Sequence, residues 1–205
     1  MIDQQTVYVV DDDKAVRDSL IWLLESVGLR VQAFASATDF LAILADDTRG
    51  CLVVDLRLPG MSGLDLLDQL HQRKASLPAI MVTGHGDVPA AVRAMKVGAI
   101  DFIEKPYNDE VLLDRIRTAL SIDIESYESI EYKRDVQSRV ERLTPREKQV
   151  MKLVVQGKLN KQVASELGLS HKTIEVHRAH VMEKMDVGSL AELVRMSIAM
   201  ESVTQ

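Results

Sequence analysis

Four short apolar runs in the first half of the chain each lead to a polar side chain, and this leaves few folds open. Thr6–Val10 ends on Asp11, Asp12 and Asp13, Cys51–Val54 on Asp55, and Ala79–Val82 on Thr83. Asp101–Ile103 leads through Glu104 to Lys105 and Pro106. Apolar runs this short, separated by segments of helical period, read as strands buried on both faces of a parallel sheet. Their C-terminal ends are where open α/β sheets gather their sites. Four strand ends therefore predict one pocket holding acids, a threonine and a lysine.

The intervening segments carry helical stripes. Val16, Leu20, Leu23, Leu24 and Val27 form the first, stopped by Gly28. Arg30–Phe34 reads as a further strand, and Ser36 with Asp39 stands at cap and third-position spacing before Phe40 and Leu41. Helix 3 follows Gly60–Gly63 and carries Leu64, Leu67 and Leu70. Helix 4 carries Val88, Val92 and Met95 and stops at Gly98. Helix 5 starts near Asn108 and carries Val111, Leu112, Ile116 and Leu120. Five strands alternating with five helices predict a flavodoxin-like (βα)5 parallel sheet covered on both faces, an α/β domain over residues 1–122.

Residues 123–142 contain neither Gly nor Pro, and Tyr127, Ile130, Val136 and Val140 make a partial apolar stripe, so a helical linker is expected. From Leu143 the pattern is all helix. Thr144-Pro-Arg-Glu147 is a capping box with proline in the first turn, and Gly157 stops that helix. Asn160 is expected to cap a short helix to Leu167. Gly168 makes a turn, Ser170 caps a longer helix to Met185, and Ser189 with Glu192 opens a fourth. Residues 143–205 thus form a small all-α domain.

Charge separates the two ends. Residues 1–122 carry 12 basic and 18 acidic side chains, whereas residues 143–205 carry 9 and 7. An acidic front and a mildly basic tail point to different partners. The single cysteine, Cys51, lies within a strand pattern and reads as a buried structural thiol. No apolar stretch reaches membrane-spanning length, and the N-terminus lacks the pattern of a signal peptide, so no membrane partner and a cytoplasmic location are expected.

In the strand order 2-1-3-4-5, Asp11, Asp12 and Asp55 meet at the switch point between strands 1 and 3. Three carboxylates there repel one another unless a cation intervenes, and magnesium suits them as a hard ion with oxygen ligands. Asp55 has the chemistry of a carboxylate nucleophile toward phosphorus, with Lys105 balancing charge and Thr83 donating a hydrogen bond. Taken singly, acids after a strand often only cap the next helix. The four strand ends together are harder to explain in that way.

Residues 4–122 resemble the receiver domain of two-component response regulators. The resemblance implies Asp55 as phosphoacceptor for a sensor histidine kinase. It implies Mg2+ (or Mn2+) bound directly by Asp12 and Asp55, by Asp11 largely through water, and by the Arg57 carbonyl. Thr83 and Phe102 would be switch residues, Lys105 a phosphoryl contact, and Lys105–Pro106 a cis peptide. Arg57 and His85 would border the phosphoryl group and influence its hydrolysis. The implied chemistry is slow autophosphorylation and autodephosphorylation rather than metabolite turnover.

The tail pattern Ala164-Ser-Glu-Leu-Gly168 followed by Ile174 fits a helix-turn-helix. With Leu143–Glu147, Asn160-Lys161 and Thr173–His177 it resembles the four-helix LuxR-type DNA-binding domain. Lys172, Thr173, Glu175, Val176 and Ala179 are then candidates for the major groove, Glu175 toward a cytosine amino group and Val176 toward a thymine methyl. Asn160, Lys161, Arg178 and Lys184 are candidates for phosphates. Val82–Pro89 and Asp101–Pro106 look like the FixJ-type branch. The function this implies is a transcription activator that dimerises on phosphorylation, binds promoter DNA and meets RNA polymerase. The rivals are an Asp11/Asp13 phosphohydrolase and a receiver whose tail binds protein.

Overall fold

The computed structural model describes residues 5–45, 47–73, 75–84 and 88–201. His85 lies outside the described residues. The chain divides into two compact units, Met1–Tyr127 and Glu128–Gln205.

In the first unit, β1 (Thr6–Val10), β2 (Arg30–Phe34), β3 (Gly50–Asp55), β4 (Ala79–Thr83) and β5 (Ala99–Glu104) form one parallel sheet in the order β2-β1-β3-β4-β5. The intervening helices are α1 (Lys14–Ser26), α2 (Ala37–Ile43), α3 (Gly63–Gln72) and α4 (Val88–Val97), followed by α5 (Asp109–Glu141). Alternation along the strands divides the core. Tyr8, Val10, Leu52, Val54 and Met81 pack with Phe40, Leu66 and Leu67 on one face. Val7, Val9, Cys51, Val53 and Ile80 pack with Leu20, Leu24, Leu112 and Ile116 on the other. Full burial of each large aliphatic contributes roughly 1.5–3 kcal/mol, which makes register costly to shift. Burial pushes the Cys51 thiol up, with the Asp123 carboxylate adding to the effect, so the thiol stays protonated and structural.

One strand boundary differs from expectation. β5 begins at Ala99 instead of Asp101, after the turn at Gly98. The segment 123–142, expected as a helical linker, is helical and continuous with helix 5, so α5 runs as one helix to Glu141. Its residues 120–127 belong to the first unit. Asp123 is buried, accepts hydrogen bonds from Gln5 Nε2 (2.7 Å) and Arg49 Nε and Nη2 (3.0 and 2.8 Å), and sits at the N-terminal ends of β1 and β3. The Arg49 guanidinium also lies 3.7 Å from the Tyr127 ring centroid. Removing the carboxylate would leave the half-buried Arg49 guanidinium without its ion-pair partner and destabilise this end of the first unit.

The second unit holds the rest of α5 with α6 (Pro145–Val155), α7 (Asn160–Leu167), α8 (His171–Met185) and α9 (Leu190–Glu201). Val136 from the expected linker is fully buried here with Leu143, Val150, Val154, Val163, Ile174, Val181, Met185 and Leu193. The α7 cap differs from expectation. Asn160 is the first helical residue, the cap is Leu159, and the Leu159 N–H is satisfied by Gln162 Oε1 at 2.8 Å.

Glu147 closes the α6 capping box by accepting from the Thr144 N–H (2.8 Å) and also accepts from Lys184 Nζ (2.7 Å). Burial by itself would raise this carboxyl's pKa. The Lys184 and Thr144 hydrogen bonds outweigh burial and bring it down from 4.5 to about 2. A depressed pKa stabilises the fold above pH ~4.5, and the contribution, on the order of 3 kcal/mol, fades as pH falls toward 2. Glu147→Gln should therefore flatten the acid limb of the calorimetric transition of the second unit, with Trp22 fluorescence following the first unit separately. An acid limb as steep in the variant as in wild type would contradict this.

Candidate functional sites

The Asp11 N–H donates to the Phe34 carbonyl (3.2 Å), extending the β1–β2 ladder by one residue and holding Asp11 at the sheet end. The residue is 3% exposed, and its Oδ1 accepts the Asp13 N–H (2.9 Å). Asp13 caps α1 by accepting the Ala15 N–H (2.8 Å), so the third acid of the run has a structural task. Asp12 is exposed, and among the described residues its carboxylate has no hydrogen-bond partner. Asp55 is the last residue of β3, and its Oδ1 accepts the Arg57 N–H (3.1 Å).

Lys105 draws these together. Its backbone N–H donates to the Thr83 carbonyl (2.7 Å), tying the ends of β4 and β5, and the Lys105–Pro106 peptide is cis. Its Nζ lies 2.6 Å from Asp11 Oδ2 and 2.8 Å from Asp55 Oδ2. Burial pulls the ammonium pKa down, but the two carboxylates outweigh it and the net shift is upward. Thr83 is buried at the end of β4. Phe102 is half-buried on β5 against the Met81 and Ala94 cluster.

The donor set fits a hard divalent ion. Asp11, Asp12 and Asp55 each place a carboxylate oxygen within 4.8 Å of the others. The ligands are all oxygen, and three negative charges face one ammonium. Two oxygens bound directly to one magnesium lie at most about 4.2 Å apart, so a spread of this size admits direct ligands together with a water-bridged one.

Two residues that shape this site escaped the sequence reading. A Cβ on Gly63 would stand 2.3 Å from the Asp55 carbonyl oxygen, so only glycine lets α3 start so close to Asp55. Arg17 Nη1 donates to the carbonyls of Asp11 (2.7 Å) and Asp12 (2.9 Å). Its sole sequence signal is a cation in the first turns of the helix after the acids, which is ordinary on a surface.

In the second unit, α7 ends on Gly168 in the left-handed region (φ 65°), and the Leu169 N–H returns to the Ala164 carbonyl (3.0 Å). Arg146 Nη2 donates to the Leu167 carbonyl (2.6 Å) and fixes the same turn from α6. α8 buries Ile174, Val181 and Met185 and turns Lys172, Glu175, Val176 and Ala179 outward on the opposite side. Val176 is 49% exposed, unusual for valine. Thr173 is half-buried, with its hydroxyl 2.8 Å from the Ser170 hydroxyl, and Glu175 lies 3.5 Å from His171. Lys161 is exposed, and Arg178 Nη1 donates to Asn160 Oδ1 (2.8 Å), so those two candidates form one group. Lys184 stands apart, engaged by buried Glu147. His177 is half-buried, and its Nδ1 has no partner among the described residues.

The chain matches the response regulator receiver domain over residues 7–117 and the bacterial regulatory proteins of the luxR family over residues 141–197. It is 49% identical to nodulation protein W of Bradyrhizobium diazoefficiens, over 93% of this chain and 84% of that protein. It is 47% identical to the transcriptional regulatory protein FixJ of Azorhizobium caulinodans, over 97% and 94%. The solved structure of the response regulator StyR superposes with a TM-score of 0.86 at 43% identity, over 95% and 98%. The acid and lysine site on a five-stranded parallel sheet, followed by a helix-turn-helix, belongs to a FixJ-like two-component response regulator, a transcription regulator with a LuxR-type DNA-binding domain.

Proposed function

We propose that Asp55 is the phosphoacceptor of this regulator, charged by a sensor histidine kinase, and that its phosphorylation drives dimerisation and promoter binding to activate transcription. The observation that carries this reading is the Lys105 ammonium shared between Asp11 and Asp55. A carboxylate oxygen of Asp55 attacks phosphorus, a new O–P bond forms, and the bond to the donor's leaving atom breaks with its electron pair. Asp11, Asp12, Asp55 and the Arg57 carbonyl would hold Mg2+ (or Mn2+), which supplies positive charge beside the transferring oxygens. Lys105 follows the charge from carboxylate to phosphoryl oxygen, and the Thr83 hydroxyl donates to the same group. Autophosphorylation from a small phosphodonor and slow autodephosphorylation are the only chemistry required.

Phe102 lies on β5 next to the helices that would read the change. Val88 (77% exposed), Val92 and Met95 on α4 and Val111 on α5 offer apolar surface for a second copy. Taking this switch from 1:99 to 99:1 needs about 5.5 kcal/mol of preference for the active state. A dimer would present two α8 helices to half-sites about 34–36 Å apart. Lys172, Glu175, Val176 and Ala179 would face the groove, with Thr173 steadying the helix start, and Lys161 with the Asn160–Arg178 pair would take phosphates. Lys184 has a weaker claim, since Glu147 already holds it. The working division is receiver 1–122, connecting helix 123–142 and DNA-binding domain 143–205. The setting is the cytoplasm, with RNA polymerase as the downstream partner. No helix among the described residues is long and apolar enough to cross a membrane.

Asp55→Asn should abolish the gain in promoter binding that acetyl phosphate gives wild type, measured by gel shift; a variant that still responded would contradict the proposal. Lys161→Ala should weaken specific and non-specific DNA binding alike and lower the slope of log K against log salt by about 1. An unchanged slope would remove Lys161 from the phosphate contacts.

A further inference from the structure

The phosphoacceptor reading needs Asp12 to meet a cation, yet Asp12 is exposed and its carboxylate has no partner among the described residues. Whatever orients it must act through the main chain. The Asp11 N–H is fixed to Phe34, but the carbonyls of Asp11 and Asp12 lie beyond the paired part of β1. Arg17 takes both, with a single terminal nitrogen, Nη1, donating at 2.7 and 2.9 Å. The Arg17 N–H also donates to the Asp13 carbonyl (3.1 Å), so α1 holds three consecutive carbonyls of the acidic run through one residue.

We propose that Arg17 is a positioning residue for the metal site, locking the Asp11–Asp12 backbone so that the Asp12 carboxylate is presented to the cation without reorganisation. The proposal rests on the phosphoacceptor reading and deepens it. Arg17 would touch neither the cation nor the phosphoryl group. Hydrogen bonds from a charged donor are among the stronger ones in proteins. Outer partners of metal ligands typically control affinity by 10–100-fold.

The sign of the effect separates this role from charge alone. Arg17 is a positive group beside a cation site, so its field opposes cation binding. If charge were its whole influence, removing it would tighten binding, whereas loss of a backbone lock weakens binding. Arg17→Met keeps the aliphatic stem and removes both donations. Arg17→Lys keeps the charge on a shorter and differently shaped donor.

The test is Mn2+ titration of the full chain followed by the electron paramagnetic resonance signal of free Mn2+, with Mg2+ as competitor. Trp22 fluorescence melting confirms that each variant is folded. The expected result is at least tenfold weaker Mn2+ binding in Arg17→Met and an intermediate loss in Arg17→Lys. If Arg17→Met unfolds, the loss in folded Arg17→Lys decides. Variants that bind as tightly as wild type, or more tightly, overturn the role of Arg17 while leaving the phosphoacceptor reading intact. A wild-type chain whose Mn2+ binding is absent, or unaffected by Asp12→Asn, overturns both.

Discussion

The Lys105 ammonium, shared between Asp11 and Asp55, is the interaction on which the rest of the site depends. It joins the end of β5 to the ends of β1 and β3, and its backbone N–H joins β5 to β4 through Thr83. Without a cation there, two carboxylates would face each other at a half-buried sheet end. With one lysine, the site is assembled but still short of positive charge, because Asp12 adds a third carboxylate. That residual imbalance makes a divalent ion and then a phosphoryl group suitable occupants. The site is poised because its own charges do not close.

The sheet could be read from the chain because parallel strands are buried on both faces and show as unbroken apolar runs. The order 2-1-3-4-5 was a further assumption that alternation with helices does not fix; the sheet has that order, and the acids fall at its switch point. The role of Asp13 was ambiguous in the sequence, since an acid after a strand serves equally as ligand or cap. Its bond to the Ala15 N–H settles it as a cap. This also weakens the phosphohydrolase alternative, which needs Asp13 free for chemistry.

What escaped the sequence were interactions between residues with no local pattern to announce them. The helical state of residues 123–142 was legible from the absence of Gly and Pro, whereas what holds that helix was not. Its anchors are the Asp123–Arg49 pair and buried Val136, which only the folded chain brings to their partners. Lys184 read as a phosphate candidate with a solvated helix face about equally open, and its partner Glu147 lies 37 positions away. Asn160 looked like a cap by residue type, yet Gln162 satisfies the preceding N–H and Asn160 is left to hold Arg178. Arg17 and Gly63 act on backbone atoms, which no side-chain motif records.

The most direct test of the central claim is to locate the phosphoryl group chemically. Wild-type protein is incubated with acetyl phosphate and Mg2+, reduced with borohydride to convert phosphoaspartate to homoserine, and mapped by peptide mass spectrometry. The expected result is conversion at Asp55 alone. Conversion at Asp11 or Asp13 with Asp55 untouched would contradict the account.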